Sequence, residues 1–80
     1  MKITILLFGI LKDIVGENSL KFQIENDSNV GNLKAIFLEK YDNLNSFSNF
    51  SIAVNEEYVG LESILKSGDI VALIPPVSGG

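Results

Sequence analysis

Four residue types are missing from this chain of 80 residues: cysteine, histidine, arginine and tryptophan. Without cysteine no disulfide can form, and without cysteine and histidine the chain cannot build a zinc site of the usual kind. No imidazole is available as a general base near neutral pH. These absences exclude disulfide-stapled folds and histidine-dependent active sites, and we expect no bound metal.

Positive charge is also scarce. Six lysines are present against ten acidic residues, which gives a formal net charge of −4 at pH 7. Nucleic acids and anionic membranes attract basic surfaces, so this balance predicts neither as a partner. The longest apolar run, residues 3–11, is about half of a membrane span and lacks the basic start and cleavage site of a signal peptide. We therefore expect a cytoplasmic protein.

Apolar residues, by contrast, are plentiful. They make up 46% of the chain against 20% charged residues, which is typical of a folded domain. A chain of this length has room for one small core and not for two. The sequence predicts a single domain over residues 1–74, followed by a flexible C-terminal tail over residues 75–80.

Hydrophobic periodicity predicts the first elements of that domain. Alternation indicates strands at residues 2–8 and 20–24, separated by a turn or a helical turn that ends at Gly16. Residues 27–29 offer N-cap side chains for an amphipathic helix of about twelve residues. Its predicted apolar face consists of Val30, Leu33, Ile36, Phe37 and Tyr41.

The second half of the chain adds further strands. They are predicted at residues 50–54, 58–59 and 70–74, with a loop over residues 42–49 and one helical turn near residues 61–65. The last strand is apolar throughout, which is typical of a central strand covered on both faces. The order β-β-α-β-(β)-β predicts an α+β fold of the β-grasp, or ubiquitin-like, type. In it, a mixed sheet of four to five strands packs on one main helix.

Directly after the last predicted strand come the final six residues, Pro75-Pro76-Val77-Ser78-Gly79-Gly80. Proline has no N–H to donate, so the two prolines end the strand and favour an extended exit. Six extended residues reach roughly 20 Å, and glycines can pass through a channel that a Cβ would block. The tail is therefore predicted to carry the terminal carboxylate into the active site of another protein. A cloning scar has a similar composition, and that alternative stays open.

One helix can cover only one face of the sheet, yet the first strand is apolar on both faces. Phe8 and Ile74 lie near strand ends, and Tyr58 joins them if its strand pairs nearby. These three are predicted to form an apolar patch for a partner beside the tail. The alternative is that the loop of residues 42–49, with Phe47, folds over this face.

Short motifs spread over the whole chain match those of one known family. They are Phe8-Gly9, Leu11-Lys12-Asp13, Gly16, Ala53-Val54-Asn55, Gly68-Asp69, Val71-Ala72 and the tail. In these residues the chain resembles the small, sulfur-carrying subunit of molybdopterin synthase. Lys12-Asp13 stands where that family usually has Arg-Glu, which removes a bidentate guanidinium.

The resemblance implies a defined chemistry. A ubiquitin-activating-like adenylyltransferase would use ATP to adenylate the carboxylate of Gly80, and a persulfide sulfur donor would convert it to a thiocarboxylate. The fold itself would bind no cofactor, and the chain would not be an enzyme on its own. In the large catalytic subunit of the synthase the tail would give sulfur to precursor Z, which becomes the molybdopterin dithiolene. Gly79 would supply clearance, and the implied partner-binding residues are Phe8, Tyr58, Ile74, Pro75, Pro76, Val77 and Ser78.

The same fold and ending serve other functions, which stay open at this point. Related carriers supply sulfur for thiamine or for tRNA thiolation, and ubiquitin-like modifiers join their terminal carboxyl group to a lysine of a target protein. The alternative of another class is a non-catalytic binding module whose tail is incidental. Only this last function would survive truncation of the tail.

Overall fold

The computed structural model describes residues 1–47 and 49–76, with residues 45–47 described by their backbone alone. The elements of this part of the chain are β1 Lys2–Leu7, α1 Gly9–Val15, β2 Ser19–Gln23, α2 Val30–Lys40, a 3₁₀ helix Asp42–Phe47, β3 Ser51–Val54, β4 Glu57–Tyr58 and β5 Ile70–Ile74. The strands form one sheet in the order β2-β1-β5-β3-β4. β1 and β5 run parallel, whereas the other neighbouring strands are antiparallel. This mixed sheet with one main helix confirms the predicted β-grasp fold.

The core lies between the sheet and α2. Side chains of alternate residues in β1 point to the same face of the sheet, because a strand has a period of two residues. Side chains three or four residues apart on α2 lie on one face of the helix, because its period is 3.6 residues. These two faces pack against each other. The ring of Phe37 on α2 meets that of Phe22 on β2 edge-on, at 5.7 Å between centroids. The buried side chains of this core are Ile3, Ile5, Leu7, Leu11, Phe22, Ile24, Val30, Leu33, Phe37, Leu44, Phe50, Ile52, Leu65, Val71 and Leu73.

The N-terminus of α2 is closed by a reciprocal pair of hydrogen bonds. The backbone N–H of Asn32 donates to Oδ1 of Asn29 at 2.7 Å, and the backbone N–H of Asn29 donates to Oδ1 of Asn32 at 3.0 Å. Two backbone donors that lack a partner inside the helix are thereby satisfied. The predicted cap within residues 27–29 is confirmed, with Asn29 as the capping residue.

Two predictions about the helical region need correction. Ile36 was assigned to the apolar face of α2 but is 44% exposed, since it lies one residue, about 100°, round the helix from Phe37. Residues 42–49 were predicted as loop but contain the 3₁₀ helix. The side chain of Leu44 is fully buried, and this anchor holds the segment against the core.

Two other segments also differ from expectation. The connection between β1 and β2 holds a complete helix, α1, which Leu11 anchors in the core; its end at Gly16, where φ is +87°, is as predicted. Residues 61–65 do not form the predicted helical turn. Their backbone pairs with the start of α2 instead, because Val30 N–H donates to Ser63 C=O and Gly31 N–H donates to Leu61 C=O.

The reciprocal cap of α2 should contribute measurably to stability. We expect Asn29→Ala to lower the free energy of unfolding by about 1 kcal/mol, because one cap bond is lost and the helix N-terminus is left open. Urea denaturation followed by circular dichroism measures this. Asn26→Ala, at an exposed position just before the cap, is the control and should change the free energy by less than about 0.5 kcal/mol. Equal effects of the two substitutions would contradict a capping role.

Candidate functional site

The face of the sheet that points away from α2 carries an apolar groove. The strand register places Leu6 opposite Ala72, Ala72 opposite Ala53, and Ala53 opposite Tyr58, so that one row of side chains crosses four strands. The groove has a volume of about 530 Å³. It is lined by Leu6, Phe8, Ala53, Asn55, Glu56, Tyr58, Ile70, Ala72 and Ile74.

The shape of the groove follows from the sizes of these residues. Two alanines form its floor, whereas the larger side chains stand at its margins, with Phe8 47% exposed and Tyr58 69% exposed. An apolar depression of this kind on a small domain is typical of a protein-binding surface. The structure therefore brings together Phe8, Tyr58 and Ile74, the three residues predicted to form the patch.

The helices leave this face uncovered. Leu11 of α1 and Leu44 of the 3₁₀ helix both belong to the core on the opposite face, so the backbone of residues 42–47 does not fold over the groove as the alternative required. The side chain of Phe47, which that alternative also named, lies outside the described part of the chain. Because all this packing is on one side, the prediction that β5 is covered on both faces is wrong: Val71 and Leu73 are buried, while Ile70 is 46% exposed.

The three residues predicted for the patch are only part of the groove, and sequence reasoning missed others, among them three on β3 and β5. Ile70, Ala72 and Ala53 were assigned to strands but not to a site. In β5 buried and more exposed residues alternate, but all of them are apolar, so the sequence does not show which face is covered. The presence of two alanines among larger β-branched residues was the signal available, because small side chains on a strand mark a depression on its surface.

Polar residues bound the groove on the β2 side. Lys21 on β2 pairs with Thr4 on β1, and Nζ of Lys21 donates to Oγ1 of Thr4 at 2.9 Å. Thr4 lies two residues before Leu6 on β1, so Thr4 and its partner Lys21 lie on the same face of the sheet as Leu6. The apolar surface is thus confined to the part of the sheet formed by β1, β5, β3 and β4.

The β3–β4 turn is held rigidly at the other side of the groove. Asn55 and Glu56 have φ angles of +51° and +71°, as a tight hairpin turn requires. Oδ1 of Asn55 accepts from the backbone N–H of Ile70, and Nδ2 donates to Oδ1 of Asp69, both at 3.0 Å. Oδ2 of Asp69 in turn accepts from the backbone N–H of Lys66 at 2.8 Å. The side chain of Asn55 therefore joins this turn to the start of β5.

The chain leaves the sheet beside the groove. β1 and β5 are parallel, so Phe8 and Ile74 lie at the same edge, and Pro75 and Pro76 follow without belonging to a strand. Pro75 contacts Gly9 at this edge. The last four residues, Val77, Ser78, Gly79 and Gly80, lie outside the described part of the chain. The reactive role of Gly80 therefore stays a prediction.

The comparison with known proteins fits this geometry. The model of the ThiS family matches residues 5–80. The chain belongs to the ThiS family. Among curated relatives, the molybdopterin synthase sulfur carrier subunit of Chlamydomonas reinhardtii is 34% identical, with full coverage of both chains.

Two solved structures extend the likeness to the whole fold. SAMP1 from Haloferax volcanii is 25% identical with a TM-score of 0.87, and full coverage of both chains. Subunit 1 in the complex of subunits 1 and 2 of the molybdopterin-converting factor from Helicobacter pylori is 29% identical with a TM-score of 0.73, again with full coverage. In residues 1–47 and 49–76 no helix is both long enough and apolar enough to span a membrane.

The Asn55 clamp predicts a graded loss of stability. Asn55→Gly removes both side-chain hydrogen bonds but tolerates the positive φ, so we expect a loss of about 1 kcal/mol in the free energy of unfolding. Asn55→Ala also strains the backbone and should cost about 2 kcal/mol. Urea denaturation of the two variants side by side separates these contributions. Identical losses would show that the left-handed conformation of Asn55 contributes nothing.

Proposed function

We propose that this chain is the sulfur carrier subunit of molybdopterin synthase. The observation that carries the proposal is that one end of an exposed apolar groove, at Phe8 and Ile74, lies where the C-terminal tail leaves the sheet. A partner that covers the groove receives the tail at the same time. The full-length similarity to subunits that bear this name supports the assignment.

The proposed chemistry takes place at the carboxylate of Gly80. A carboxylate is a poor electrophile, and adenylation by an ATP-dependent activating enzyme converts it to a mixed anhydride. The terminal sulfur of a persulfide donor then attacks the carbonyl carbon, AMP leaves, and an acyl disulfide forms. A second thiol cleaves its S–S bond, which leaves a thiocarboxylate on Gly80 and a disulfide on the donor side.

The chain contributes delivery rather than catalytic side chains. It has no cysteine, so sulfur can travel only on the terminal carbonyl group. The large subunit covers the groove, with Phe8, Tyr58 and Ile74 in contact, and supplies the groups that act on precursor Z. Pro75 and Pro76 hold the tail off the sheet, Val77 and Ser78 bind the large subunit, and Gly79 gives the tail clearance and flexibility. Two rounds of transfer complete the dithiolene.

Conjugation to target lysines is a second candidate function. It is supported by the similarity to SAMP1 of Haloferax volcanii, the small archaeal modifier protein 1. The two functions share the adenylation of Gly80 and differ in the nucleophile that follows, a sulfur donor or an amine. The sulfur carrier function is preferred because three curated relatives with 33 to 36% identity carry that name.

The first test is intact mass spectrometry after incubation with the activating enzyme, ATP and a persulfide donor. We expect a gain equal to the replacement of one oxygen by sulfur, localised to Gly80. A variant that lacks Gly80 should remain unmodified while its circular dichroism spectrum stays native, because the core of the described part of the chain lies between Ile3 and Leu73. Modification of the truncated variant would contradict the proposed site. No modification of the wild-type chain, with a known carrier modified in parallel, would contradict the carrier function.

The second test addresses the groove. Phe8→Asp should weaken binding to the large subunit by about 2 kcal/mol or more, roughly 30-fold in Kd, if this side chain is central to the interface. The fold should tolerate the change, because Phe8 has extended backbone at the N-cap of α1, where aspartate is favoured. Isothermal titration calorimetry measures the affinity. Ile36→Asp is the matched control, since Ile36 is 44% exposed but lies on α2, away from the groove. Equal weakening by both substitutions would remove Phe8 from the interface.

A further inference from the structure

Gly9 and Pro75 lie in contact where the chain leaves the sheet. A Cβ placed on Gly9 would lie 3.0 Å from Cγ and 4.0 Å from Cδ of the Pro75 ring. Carbon atoms in favourable contact are about 3.5–4.0 Å apart, so a side chain at position 9 would press on this ring. The bare backbone of Gly9 is therefore the surface on which Pro75 rests.

Pro75, the neighbour of Gly9, has no side-chain rotamer that would move its ring away from position 9. A flexible side chain would relieve a close contact by changing rotamer, whereas the pyrrolidine ring is closed onto its own backbone nitrogen and can move Cγ only as far as a change of ring pucker allows. A displacement of Cγ beyond that range moves the backbone of Pro75. That backbone is the first part of the tail after β5 ends at Ile74.

Two other glycines with positive φ angles lack the close neighbour that Gly9 has. Gly16 and Gly68 have φ angles of +87° and +88°, and nothing lies within 4 Å of a Cβ placed on either residue. Glycine at these positions serves backbone conformation alone. Gly9 also has a positive φ, +57°, but it has the Pro75 contact as well. Conformation by itself accounts for Gly16 and Gly68 and does not account for the close approach at Gly9.

We infer that Gly9 is a positioning residue for the tail. By letting Pro75 approach, it sets the direction in which the chain leaves the body after β5. The neighbours of the two contact residues, Phe8 and Ile74, both line the groove, so the contact joins the docking surface to the tail. When a partner covers the groove, the contact determines where the terminal carbonyl group is delivered. This inference rests on the proposed function.

A positioning role has a kinetic signature. A displacement of the tail leaves the groove intact, so affinity for the large subunit is retained. The reacting carbonyl group arrives in a poorer geometry, and small misplacements of reacting atoms are costly in rate. Gly9→Ala should therefore lower the rate of sulfur transfer and not the affinity.

The experiment compares thiocarboxylated wild-type chain with Gly9→Ala and Gly16→Ala, each prepared by intein cleavage with sulfide. Binding to the large subunit is measured by calorimetry, and sulfur transfer to precursor Z by single-turnover kinetics. We expect Gly9→Ala to transfer sulfur about tenfold more slowly, with Kd changed less than about twofold. Gly16→Ala imposes the same kind of backbone strain without touching Pro75, and should leave both quantities unchanged. An equal rate loss in the two variants would overturn the inference.

A double-mutant cycle guards against a general loss of structure in Gly9→Ala. Pro75→Ala removes Cγ and Cδ, the two ring atoms that a Cβ at position 9 would meet. In the Pro75→Ala background, Gly9→Ala should slow transfer less than about twofold, because the two effects are coupled through this contact. A full tenfold loss in that background would mean that Gly9 acts in some other way, and would overturn the inference.

One readout does not depend on sulfur transfer. In the isolated wild-type chain, a nuclear Overhauser effect between Hα of Gly9 and Hγ of Pro75 is expected, and its absence would overturn the inference at the outset. If the contact is observed but the wild-type thiocarboxylate transfers no sulfur, the proposed function is overturned, and the role of Gly9 in transfer with it. If the wild type and Gly9→Ala transfer equally well, only the role of Gly9 is overturned.

Discussion

The parallel pairing of β1 with β5 is the constraint on which the rest of the molecule depends. It joins the first and the last strand of the chain at the centre of the sheet, with Ile5 opposite Val71 and Leu7 opposite Leu73. Both strands therefore end at the same edge. One end of the groove, the approach of Pro75 to Gly9 and the exit of the tail all lie at this edge because the two strands run in the same direction.

The division of the sheet into a buried and an exposed face follows from the same pairing. On one face alternate residues of β1 and β5 pack under α2, and on the other Leu6 lies against Ala72. The small side chain of Ala72 leaves a depression at the centre of the exposed face. The hydrogen bonds of Asn55 to Asp69 and Ile70 fix the turn beside this depression. The apolar groove is thus a product of the fold and not of a flexible loop.

Local signals predicted the parts of this structure that depend on one element at a time. Alternation in β1, the cap at Asn29 and the end of α1 at Gly16 are properties of short segments, and all are observed. The errors arose where a neighbour decides the outcome. Ile36 is exposed because the sheet covers a narrower stripe of α2 than its apolar pattern suggests, and residues 61–65 follow the backbone groups of α2 rather than their own periodicity. The contact of Gly9 with Pro75 joins opposite ends of the chain, and no local pattern contains it.

The position of β5 has a consequence for chains that lose their last residues. Because this strand is central and ends at Ile74, trimming beyond that point keeps every core residue in the described part of the chain and the pairing of β1 with β5. A trimmed chain would keep the groove and, under the proposed function, would still occupy the large subunit. It would bind in the place of an intact carrier and deliver no sulfur, and would therefore act as a competitive inhibitor of the assembly it belongs to.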